Sequence, residues 1–98
     1  MDLIDAVITN NVQITQKLLN EGADPNQLLD ESGVTPLHFA AQNNSLNVVP
    51  LLVKAGAKVD AETTPDGQTP LDIAQLHGHS MMVKILLAYS DFERGVTH

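Results

Sequence analysis

A chain of 98 residues, 43% hydrophobic but only 3% aromatic, is one domain long and must build its core from Leu, Val, Ile and Ala, which favours helices. It has no cysteine, which excludes a disulfide framework, thiolate zinc sites and a cysteine nucleophile. Twelve acidic residues against five basic ones, a formal charge of −7, would repel nucleic-acid phosphates, and no apolar run approaches the roughly 18 residues of a membrane span. The opening MDLIDAV has neither the basic region nor the apolar core of a signal peptide, so a cytoplasmic, soluble protein is expected.

In chain order the predicted elements come in pairs that repeat. Leu3 and Ala6 lie on a first short helix that should end near Asn10, and Ile14, Leu18 and Leu19 give a second helix an apolar face before Gly22. After the turn DESG, Thr35 caps a helix whose first position is Pro36, where the missing N–H is no loss. That helix should end near Asn44, a residue type that tolerates a left-handed backbone. A partner helix carries Leu46, Val49, Leu52 and Val53 up to Gly56, with Pro50 inside it removing one helical hydrogen bond. After TPDG, Thr69-Pro70 starts the third pair, with Asp72 three residues past the cap near the positive end of the helix dipole. It runs to Gly78, and Met82, Val83, Leu86 and Leu87 form the last face, with Ser90 where a glycine is expected.

The pairs are copies. Gly33-Val34-Thr35-Pro36-Leu37 recurs as Gly67-Gln68-Thr69-Pro70-Leu71, an offset of 34 residues, and the same offset relates Ala6, Ala40 and Ala74. Three copies fill the chain at about 1–26, 27–60 and 61–90, with a tail at 91–98 (DFERGVTH) in which Phe92, together with Tyr89, could fold over the last apolar face.

With Thr35-Pro36-Leu37-His38-Phe39-Ala40 matching T-P-L-H-x-A, Thr69-Pro70-Leu71-Asp72-Ile73-Ala74 missing only its histidine, and Gly22-Ala23-Asp24-Pro25-Asn26 similar to GADVN, the chain resembles the ankyrin repeat family. It departs in lacking Thr-Pro in the first copy and in connecting segments one residue longer than the usual period. The resemblance implies an all-α solenoid of helix-turn-helix units linked by β-hairpin-like turns, and a structural role for His38 in bracing neighbouring repeats. It implies a non-catalytic protein–protein interaction module without cofactor or metal, working as a monomer. The alternatives are a targeting or regulatory fragment of a larger enzyme or bacterial effector, or a structural spacer.

The residues favour no other chemistry. His38 has no Glu, Asp or second His on its helical turn, and His77 and His79 flank Gly78 without a third ligand. Asp2 and Asp5 suit a helix start better than acid–base work. No G-x-S-x-G elbow or phosphate-binding glycine pattern is present. Met81-Met82 reads as core. The resemblance places the working surface on the turn tips and the first-helix face: Leu29, Glu31, Ser32, Val34, Gln42 and Asn43 in the middle copy, and Thr63, Pro65, Asp66, Gln68, Leu76 and His77 in the third. Leu29, Val34 and Leu76 are the expected anchors, and the acidic balance suits a partner with a basic surface. Asn26 resembles the asparagines that such repeats present to a cytosolic asparaginyl hydroxylase.

Overall fold

Asp2 opens the first helix, its carboxylate accepting the Asp5 N–H at 2.9 Å, and α1 runs Leu3–Ile8. These positions, and all others discussed, come from a computed structural model describing residues 1–28 and 30–93, with side chains up to Asp91. Asn11 caps α2 (Val12–Asn20) through Ile14 N–H at 3.1 Å. The two Thr-Pro starts are realised as expected: Thr35 and Thr69 cap α3 (Pro36–Asn43) and α5 (Pro70–Leu76), each with proline in the first turn. Both are full capping boxes, in which the third helical residue reaches back to the cap N–H. His38 Nδ1 does this at 3.0 Å and Asp72 Oδ2 at 3.1 Å, so an imidazole and a carboxylate serve one position. α6 spans Ser80–Glu93.

The predicted ends hold as well. Asn10, Asn44 and Gly78 close the first helices with φ of 54°, 52° and 70°. The residue after each donates its N–H back to the alanine carbonyl five residues earlier: Asn11 to Ala6, Ser45 to Ala40 and His79 to Ala74, at 2.8–3.0 Å. Ala23 to Leu18 and Ala57 to Leu52 repeat this closure after Gly22 and Gly56, a double-bonded helix ending that a left-handed residue permits. At Ser90, which replaces the glycine, α6 continues instead.

Pro50 requires a correction. It does not interrupt a continuous second helix; the chain forms a 3-10 turn over Leu46–Val48 and then α4 (Val49–Lys54), with Pro50 in the first turn of α4. Without an N–H at residue 50 the α pattern cannot run on from Leu46, so the chain tightens before the proline and restarts where that N–H is not needed.

α3 packs between α1 and α5, and α2 packs on α4, giving a row of first helices backed by second helices. Ala6, Ala40 and Ala74 are fully buried, and their small side chains let the first helices approach closely. Leu3, Val7, Leu37, Val48, Val49, Leu52, Met82 and Leu86 fill the interior. Of the methionine pair only Met82 is core; Met81 is 54% exposed.

The connecting turns contain no strand among the described residues. The second closes through Thr63 N–H to Gln68 O at 3.0 Å and Gly67 N–H to Thr63 O at 2.7 Å. It leans on the first through Thr64 N–H to Ser32 O at 2.7 Å and Thr64 Oγ1 to Glu31 O at 3.0 Å. Gly33 makes this approach possible: its φ is 77°, and a Cβ there would stand 3.1 Å from Glu62 O.

Candidate interaction surface

A lattice of hydrogen bonds across the repeat boundaries fixes the first-helix row. His38 is buried, and its Nε2–H donates to Gln68 O at 2.8 Å while Nδ1 accepts from Thr35. These partners define the neutral tautomer. Burial holds the imidazole below its ordinary pKa, opposed by the backbone contacts to Gln68 and Ala61. The bracing role expected of this histidine is its geometry here.

At the helix loops, Ser45 Oγ donates to Ile8 O at 3.3 Å, and 34 residues on His79 Nε2 donates to Gln42 O at 3.2 Å. Asn10 Oδ1 accepts from Asn47 N–H at 3.0 Å. On the turn side Asn26 spans the boundary, Nδ2 donating to Gly56 O at 3.0 Å and Oδ1 accepting from Lys58 N–H at 2.8 Å. The equivalent pair one copy later is Ser90 Oγ to Asp60 Oδ1 at 3.0 Å.

Against this frame the predicted surface divides. Glu31, Gln42, Asn43, Pro65, Asp66, Leu76 and His77 are exposed, and Leu76 is 73% exposed at the end of α5. Ser32, Val34 and Gln68 are half-buried; Val34 is therefore a weaker anchor than expected. Thr63 is a correction. Its side chain is buried, with Oγ1 accepting Gln68 N–H at 3.1 Å, because it closes the turn from inside. Leu29, the side chains of Phe92 and Glu93, and residues 94–98 lie outside the described residues.

His77 and His79 stack with ring centres 5.8 Å apart, but His79 is tied to Gln42. Among the described residues no three His, Cys, Asp or Glu side chains gather to hold a metal ion, and no helix is long and apolar enough to cross a membrane. Shallow depressions exist beside α2 and between α2 and α4, lined by second-helix residues such as Gln16, Leu19, Asn20 and Leu51, away from the predicted surface.

Several exposed apolar side chains were not anticipated, Leu28 (56% exposed) and Met81 foremost; Leu87, expected on the apolar face of the last helix, is 43% exposed because it lies one position beyond the buried Leu86. The 34-residue offset pairs Leu28 with Glu62 and Met81 with Asn47, both polar and exposed. That comparison is the signal by which sequence could have found them. Charge is segregated too. Lys17, Lys54 and Lys84 stand on second helices and Lys58 just after α4, whereas α1, α3, α5 and the turns at 30–34 and 62–68 carry carboxylates on α1, α5 and both turns and no lysine or arginine.

A family model described as ankyrin repeats, in three copies, matches residues 3–95. The chain is 34% identical over 82 residues to the ARF GTPase-activating protein Git of Drosophila melanogaster, covering 84% of this chain and 11% of that protein. It is 34% identical over 83 residues to cyclin-dependent kinase inhibitor 2A of Monodelphis domestica, covering 85% and 48%. To human NF-kappa-B inhibitor alpha it is 35% identical over 88 residues, covering 85% and 27%. The chain thus spans half or less of the length of each of these three relatives.

Proposed function

This chain belongs to the ankyrin repeat family, and from that membership we propose that it is a non-catalytic module that binds another protein through its turn tips and first-helix face. The observation that carries this is Leu76. It is 73% exposed at a position where the middle copy has a solvent-facing glutamine, Gln42, so the stack leaves this position open and the third copy fills it with an apolar side chain. Two of the relatives are named as inhibitors, of a cyclin-dependent kinase and of NF-kappa-B, activities that a binding surface supplies without a reaction of its own.

The same reading takes residues 1–98 as one domain with the repeat limits given above, working in the cytoplasm as a monomer on a partner with a basic surface. A second reading, a regulatory segment of a longer protein, is favoured by one observation: the chain matches only 11% of a GTPase-activating protein.

The test is affinity capture from cytosolic extract with mass spectrometry, beside the double variant Asn43→Arg/Leu76→Ser, both sites being exposed. Reproducible partners that the folded variant loses are the expected result; partners retained in full would place the working surface elsewhere. Asn26 remains a proposed hydroxylation position. Both ends of its carboxamide are engaged by the next repeat, so an enzyme must release that pair to reach it. Intact mass after incubation with an asparaginyl hydroxylase should show one added oxygen at Asn26, and an unchanged mass dismisses the idea.

A further inference from the structure

The outer two first helices, α1 and α5, share a polarity gradient that stacking does not require. At the turn side stand exposed carboxylates: Asp5 in the first turn of α1, Glu31 ahead of α3, Asp66 in the turn ahead of α5 and Asp72 in the first turn of α5. At the loop side α1 and α5 end in Ile8 and Leu76, 37% and 73% exposed. The middle copy has the amide of Gln42 between them.

The dimensions of this face are those of a helix seat. Helices of 6, 8 and 7 residues extend about 9–12 Å, close to the roughly 10–12 Å diameter of one α-helix with its side chains. Neighbouring first helices at the usual spacing of about 8–10 Å put the loop-side positions of α1 and α5 about 16–20 Å apart. That distance is about 11–13 residues, or three turns, of a straight helix.

We propose that this face seats an amphipathic α-helix of the partner protein. It lies across the three first helices, with lysine or arginine side chains toward the acidic turns and two apolar clusters about three turns apart over Ile8 and Leu76. Charge complementarity selects this occupant. A helix with an acidic flank would meet like charge, and a wholly apolar one would desolvate carboxylates without pairing them. A basic flank beside an apolar stripe satisfies both halves of the face at once. The assignment rests on the interaction reading above and specifies its partner.

The test uses the full chain, isotopically labelled, and a synthetic leucine–lysine peptide of about five helical turns, with versions carrying glutamate for lysine or a central proline. The basic peptide should bind, shifting amide signals at Ile8, Leu76 and the acidic turns, and should bind more weakly as salt rises. The glutamate and proline versions should not bind. Leu76→Ser should weaken binding about tenfold, and Asp66→Asn should flatten the salt dependence. Equal binding by the proline version would mean an extended segment and would overturn the assignment, as would shifts confined to α2, α4 or α6, or a Leu76→Ser variant that binds unchanged. If extract proteins are captured through Leu76 while the basic peptide fails, the helix assignment falls and the interaction reading stands.

Discussion

His38 holds both of its bonds only as the neutral tautomer, and its native pKa is depressed by burial. The unfolded chain, with an ordinary imidazole near 6.5, therefore binds a proton more readily than the folded one. The contribution of His38 is complete above pH 6.5 and declines as pH falls from there toward the lowered native value. Urea midpoints should drop over that window in the wild type and less steeply in His38→Ala, which at neutral pH should lose about 1–3 kcal/mol by leaving Thr35 N–H unpaired and removing one of the two bonds to Gln68 O. Thr15 offers the opposite case. It is fully buried with Oγ1 unpartnered, and the 34-residue offset aligns it with Val49 and Val83. Thr15→Val should raise stability by about 1 kcal/mol, read as a higher denaturant midpoint at unchanged slope. A lower midpoint would mean that the hydroxyl has a partner.

Among the elements, the turns before α3 and α5 are the most constrained. Gly33→Ala faces both a left-handed backbone and the Glu62 carbonyl, so it should destabilise by about 1–2 kcal/mol and loosen Thr64 from Ser32. Faster amide exchange at Thr64 would register this. Helix starts and stops were legible in the sequence because each rests on one residue type doing one local job: Thr-Pro at a cap, Asn or Gly at a left-handed ending. The shapes of the turns were not. Thr63 reads as a polar tip residue, but its hydroxyl is drawn inward by Gln68 N–H, a pairing that depends on where the chain reverses and not on propensity. The division of the middle second helix was half legible: Pro50 marked the place, but whether the chain would kink or restart was decided by the 3-10 turn from Leu46.

For the whole molecule, the row of first helices makes stability collective. Leu52 is fully buried in the shared core, and Leu52→Ala should remove about 2–5 kcal/mol, a large part of what a domain of this size has. With three repeats near the minimum for an array, the loss should appear as one cooperative transition at lower temperature in circular dichroism. An unchanged midpoint would refute the packing of α4 on α2 and α3. The candidate surface was legible only in outline at this scale. The period located the exposed rows, and Leu76, Gln42 and Asp66 are exposed as expected, but the gradient from acidic turns to apolar loop ends appears only when the helices stand side by side.

The bonds that join neighbouring repeats have a further consequence, for how such a chain changes over generations. His38, Ser45, Asn26, Thr64 and His79 all donate across the boundary to main-chain carbonyls. Asn10 and Asn26 accept there from main-chain N–H groups. Because one end of each of these bonds is a carbonyl that every residue carries or an N–H that all but proline carry, a duplicated repeat can change its side chain at that end and still be gripped by its neighbour. Among the described residues, Ser90 with Asp60 pairs side chain to side chain. At that pair, drift in one copy demands a matching change in the other.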